Sequence, residues 1–300
     1  MTIFLLAAAA AAVLEPQPQF RIGAEHRLIE GVASDGRTVW VSSVIDRTIL
    51  ACRKTCRPFA RLSEPLHPIG MAWDPSRQRL WVTADCPPLP IFKKCDNGAL
   101  IAFDRTGRVR SRLAPQGTGF HAGDVSAAKG NVFIGDALKG SVYWLKPRSM
   151  VLTTLLAPGV GKSAQGSALD ASGKRLIVAD YSQGAAAIDL ASSKRTLLLR
   201  DNGKTLRGID GIVRCGDRYI AIFNGAQPNE LVSFTVDGDR MKLDELYSGP
   251  ALPAPTQVAI HGPKLIIAGD GDWDKALKEG EAPHGAFPIR SLPLLSVCKQ

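Results

Sequence analysis

Three residues that open short apolar runs carry oxygen ligands: Glu30 in "IEGVAS", Gln165 in "AQGSAL" and Asp210 in "IDGIVR". Each is followed at once by glycine. Two carboxylates and a carboxamide are hard donors, suited to Ca2+ or a similar divalent cation. Asp124, in "AGDVSA", sits one step further along its own run, and His121 lies just before it. If the chain is an enzyme, a cation held by Glu30, Gln165 and Asp210 would polarise a carbonyl and bind water, and Asp210, or Asp124 beside it, would take the proton, with His121 as an alternative acceptor. The plainer reading is that these side chains cap strand ends and hold water, with His121 a loop imidazole.

Such a site requires residues more than a hundred positions apart to meet, and a repeat supplies the means. Six stretches share one pattern of a short apolar strand, a turn and a second apolar strand, opening at Glu30, Ile69, Gly123, Gln165, Asp210 and Thr256, with spacings of 39, 54, 42, 45 and 46. Their turns are "SDGR", "DPSRQ", "AAKGN", "DASGK", "CGD" and "HGPK", all hairpin signals. A third apolar strand and polar links follow in most units. Four strands per unit, repeated six times, predict an all-β, six-bladed β-propeller. The last unit lacks a clear fourth strand, and "PQFRIGAEHRL" near the N-terminus can supply it and close the ring, removing an open edge. Only "WDKALKEGEA" offers a short helical turn. In a propeller the first strand of each blade lines the central channel, so the six opening residues converge near one mouth. Asp85, Asp136, Asp180, Asn224 and Asp270 close the second strands, a recurrence that predicts a turn role. His67 and His261 read as loop or turn residues.

The wording of the repeats resembles the senescence-marker-protein/gluconolactonase (regucalcin-like) family. "IEGVASDGRTVWVS" is similar to that family's opening blade, whose glutamate binds metal, and "GIDGIV" to the blade start whose aspartate binds metal and serves as general base. The resemblance spans about residues 20–295 and implies an exported, metal-dependent hydrolase of a small lactone or ester. It carries metal-binding roles onto Glu30 and Asp210. Gln165 stands where the family has asparagine, moving the amide oxygen out by one methylene. Gly123 replaces a further family asparagine.

Composition bounds the rest. The chain has 300 residues, 45% of them hydrophobic, enough for a sizeable core. The net charge of +9 is scattered, without the aromatic platforms that nucleic-acid binding uses. Residues 1–15 resemble a secretory leader: an apolar run from Ile3 to Leu14, too short for a membrane span, with alanines for cleavage and prolines after it. Residues 16–300 then form the propeller domain, in the periplasm or secreted, with no membrane span after cleavage. Six cysteines fit an oxidising compartment. They allow 15 pairings. Spacing favours Cys86 with Cys95 around "PPLPIFKK" and Cys52 with Cys56, leaving Cys215 and Cys298; zinc binding is the rival use. "GVGKSAQG" is no phosphate loop, since Leu156 stands where its first glycine is required. "SAAK" at Ser126–Lys129 lies in a hairpin turn without the partner motifs of a serine acylation site. A non-catalytic propeller that binds a ligand or protein on its loop face is the alternative function, because the fold hosts both.

Overall fold

A computed structural model describes residues 14–90, 92–117, 119–225, 227–269, 273–279 and 287–298. Most of the leader and Asp270 lie outside the described residues.

Six antiparallel four-stranded sheets form the blades. The inner strands are Ile29–Ser34, His67–Asp74, Ala122–Ala128, Ala164–Leu169, Ile209–Cys215 and Pro255–His261. Each pairs with a second strand through a hairpin at the predicted turn. The sixth sheet closes as expected: Gln17–Ile22 is its outermost strand, paired to Phe287–Pro293. The ring is thus shut by hydrogen bonds between the two ends of the chain.

Short, continuously apolar runs bounded by turns become strands buried on both faces. Second strands such as Val39–Ser43 and Arg175–Asp180 are buried along nearly their whole length, because both faces meet a neighbouring blade. Hydrophobic clusters fill the gap between each adjacent pair of blades. Trp40, Leu80 and Phe103 join blades 1 and 2, and Ile177, Tyr219 and Phe234 join blades 4 and 5. One further cluster, of Leu28, Val44, Leu89 and Ala276 with Trp273 and Phe92 against it, lies over the mouth. It packs the helix Trp273–Glu279 and the Cys86–Cys95 insert onto blades 1 and 2. His67 stacks on Phe92 with ring centroids 3.6 Å apart. His67 and His261 are strand-end residues rather than loop residues, the first opening a strand and the second closing one.

All six cysteines are paired, as Cys52–Cys56, Cys86–Cys95 and Cys215–Cys298. They are therefore not thiolate ligands for zinc, and the pairing fits a non-reducing compartment. Among the described residues no helix is long and apolar enough to cross a membrane.

Candidate functional site

Every inner strand carries the same irregularity. Its ladder with the second strand shifts register after the first pair, or the second in blade 2, between Ile29 and Val32, Pro68 and Met71, Ala122 and Val125, Ala164 and Ser167, Ile209 and Ile212, and Pro255 and Gln257. A bulge re-aims side chains. Here it places two successive residues of each inner strand toward the axis, giving two stacked rings.

The upper ring is Glu30, Ile69, Gly123, Gln165, Asp210 and Thr256. All six line one cavity of about 810 Å3 at the propeller mouth. Glu30, Gln165 and Asp210 are thus brought together on a common cavity, each partly exposed to it. The indole Nε1 of Trp273 donates to Glu30 Oε2 at 2.6 Å, and the Thr256 hydroxyl donates to the Glu30 carbonyl at 2.8 Å. Asn224 donates through Nδ2 to Asp210 Oδ2 at 3.0 Å and to the Pro255 carbonyl at 2.9 Å. Its Oδ1 is buried without a donor. Gln165 Nε2 donates to Ser163 Oγ at 3.1 Å, so the amide oxygen is the end turned away from Ser163.

The lower ring is Gly31, Gly70, Asp124, Gly166, Gly211 and Gln257. The glycines are there because inner strands of adjacent blades nearly touch. A Cβ on Gly31 would lie 2.3 Å from the Ile69 carbonyl oxygen, and one on Gly70 would lie 2.8 Å from the Cα of Asp124. The two side chains that remain cross the axis: Gln257 Nε2 donates to Asp124 Oδ2. Asp124 is 7% exposed and does not line the cavity, and its Oδ1 is buried without a donor. It stands beneath the upper ring rather than beside it. Among the described residues, the only three carboxylate, imidazole or thiol ligands within 4.8 Å of one another are Asp85, Cys86 and Cys95, two of them in a disulfide. Glu30, Asp210 and Asp124 therefore form no three-carboxylate centre.

Burial sets the electrostatics. It pushes the Glu30 carboxyl well above the usual carboxylate range, with Asp210 and Asp124 adding repulsion and the Trp273 hydrogen bond opposing. Burial raises Asp210 likewise, against the Asn224 hydrogen bond. Asp124 is pushed up by burial to about 7. None of the three forms an ion pair with a lysine or arginine among the described residues. Buried acids in that state bind protons or a cation.

The five residues closing the second strands divide by register. Asp136 pairs with Ala122 and Asp180 with Ala164, whereas the matching partners in blades 2 and 5 are Ala84 and Phe223. Asp136 and Asp180 take the expected turn role. Asp136 accepts from the amides of Leu138 and Lys139, and Asp180 from those of Lys162 and Ser182. Asp85 and Asn224 stand one residue later, and the pleat points them the other way. They line the cavity, as do Ala137 and Tyr181 at the same position. The turn role expected for Asp85 and Asn224 is thus corrected. A gapped reading of the repeat cannot see a one-residue offset. His121 is not among the cavity-lining residues; its Nδ1 lies 3.4 Å from Asp85 Oδ2.

No family model matches the chain, and no curated protein sequence matches it. Solved structures show the fold class: a six-bladed β-propeller. A gluconolactonase of Xanthomonas campestris aligns at 15% identity and TM-score 0.62, over 96% of this chain and 99% of its own. An oxidoreductase described as a glucose dehydrogenase, from Thermus thermophilus, aligns at 12% identity and TM-score 0.63, over 93% and 100%. A chain of a nidogen/laminin complex aligns at 15% identity and TM-score 0.59, over 73% and 80%. These likenesses carry architecture, not activity.

Proposed function

We propose that the mouth cavity is the active site of an exported, cation-dependent hydrolase of a small lactone or ester, acting in the periplasm or outside the cell. The observation that carries this reading is the meeting of Glu30, Gln165 and Asp210, from blades 1, 4 and 5, on one cavity without a compensating lysine or arginine among the described residues. The donor set fits a hard divalent cation, Ca2+ first. Two carboxylates supply charge, the Gln165 amide oxygen is the end not engaged by Ser163, and Asn224 Oδ1 is a buried acceptor lacking a donor.

When bound, the cation supplies Lewis-acid polarisation of a carbonyl. The chain's own residues do the rest. Asn224 holds Asp210 in place through Nδ2, as Trp273 holds Glu30. Asp210, held at the cavity by Asn224, takes the proton from the attacking water. Asp124 lies one layer too deep to touch a ligand in the cavity. Its charge instead helps to hold Glu30 up, so it acts on the site through space. His121 faces Asp85 and does not line the cavity, which sets it apart from the attacking water.

Thermal melting of the purified protein with and without Ca2+, followed by a panel of lactones and aryl esters on wild type and Asp210→Ala, tests this. The expected outcome is a Ca2+-dependent rise in melting temperature and turnover, both lost in Asp210→Ala. No shift and no turnover in the wild type would leave the propeller as a binding module.

A further inference from the structure

The cavity has a second wall, which the hydrolytic reading leaves unused. Blades 2 and 5 are opposite in a ring of six. Asp85 and Asn224 occupy the same register position on them, so Asp85 faces the Asp210–Asn224 pair across the mouth. Asp85 is 7% exposed. The Cys86 amide and His121, whose Nδ1 lies 3.4 Å from Oδ2, interact with its carboxylate, while Oδ1 is buried without a hydrogen-bond partner of its own. Pro87, Pro88 and Leu138, which also line the cavity, give this side an apolar border without donors of their own. The Cys86–Cys95 disulfide begins at the next residue and fixes the segment that carries the carboxylate.

An unpartnered buried carboxylate oxygen costs free energy until a donor reaches it. The described residues lining the cavity include Glu30, Asp85 and Asp210 but no lysine or arginine. A cation at Glu30 and Asp210 neutralises those two carboxylates and leaves the Asp85 carboxylate in place. A hydroxyl would satisfy the hydrogen bond alone. An ammonium satisfies both the bond and the charge, and charge-assisted bonds are roughly twice as strong as neutral ones.

We propose that Asp85 anchors a protonated amine on the ligand, so that the cavity selects molecules bearing a cationic nitrogen at the end remote from Asp210. Anionic ligands are disfavoured by the same charge. The inference builds on the reading of this cavity as the ligand site, but its readout is binding without turnover. Loss of hydrolysis and loss of amine recognition are therefore separate results.

The test is isothermal titration of the Ca2+-saturated protein at about pH 7.5, where an alkylamine is charged, with three probes of one shape: benzylammonium, benzyl alcohol and benzoate. Saturating Ca2+ keeps the amine from standing in for the metal. The expected order is benzylammonium tightest and benzoate weakest, with Asp85→Asn weakening benzylammonium about tenfold or more while leaving benzyl alcohol unchanged. Equal wild-type affinity for the amine and the alcohol overturns the proposal. So does an amine preference that survives Asp85→Asn but is lost in Glu30→Gln, which would place the amine at the other wall. If Asp85→Asn fails to fold, Glu30→Gln decides: an amine preference that persists in it supports Asp85, and one that is lost overturns the proposal.

Discussion

Asp124 and Gln257 come from opposite blades, 133 residues apart in sequence, and hydrogen-bond across the propeller axis. Four glycines complete their ring, so this pair closes the channel directly beneath the acidic mouth. The mouth is consequently a blind cavity with a polar floor, and the floor's charge is felt by the carboxylates above it.

The floor predicts a pH signature. Burial raises Asp124 to about 7, so the folded protein holds a proton that the unfolded chain releases near pH ~4. The stability associated with that proton is complete below about pH 4 and is lost as pH rises through about 7. His67 and His261 are shifted down by burial and act in the opposite sense near the same window, so the reading is a difference. In the metal-free protein, wild type should lose stability relative to Asp124→Asn between about pH 4 and 7. Denaturant melts at several pH values measure it, and a difference that is flat or grows in favour of wild type contradicts the buried-acid account.

Asn224 both holds Asp210 and presents an oxygen with no donor. Asn224→Leu, close in size, should weaken Ca2+ binding by about ten- to a hundredfold, the usual effect of removing an orienting partner. Titration calorimetry reads this directly. An unchanged affinity would separate Asn224 from the cation.

The glycines of the lower ring are spacing devices. Gly70→Ala would press a methyl group against the Cα and carboxylate of Asp124. The expected cost is about 1–3 kcal/mol by urea unfolding, as for other overpacked sites. A loss below a few tenths of a kcal/mol would mean that the blades can separate there.

The three disulfides should differ in worth. Cys215–Cys298 closes 83 residues and Cys52–Cys56 only 4. The chain-entropy relation gives about 4.5 kcal/mol for the first and about 2 kcal/mol for the second. Paired Cys→Ser variants compared by denaturant midpoint test the order, and a larger effect from Cys52–Cys56 would reverse it.

Much of the architecture is legible in the chain because a blade is a local object. Each hairpin is written within about 15 residues as alternating apolar runs around a turn, and six copies at similar spacing leave few other folds. Closure by the segment at residues 18–28 was also visible, since the last unit is short by one strand, and the strand itself runs Gln17–Ile22. The cysteine spacings pointed to the three bridges for a similar reason, two of the partners being near neighbours in sequence.

The site was half legible. Glu30, Gln165 and Asp210 announce themselves because polar residues opening apolar strands violate the pattern, and propeller geometry then requires them to meet. Asp124 violates it too, yet a one-residue step moves it to the layer below. Asp85 and Asn224 read as turn residues like Asp136 and Asp180, and only the strand register separates them. That division has a physical cause. The type and order of strands follow from side-chain periodicity along the chain. Which face a given carboxylate presents depends on the bulge and on the neighbouring blade, a relation between distant segments that exists only once the ring has closed.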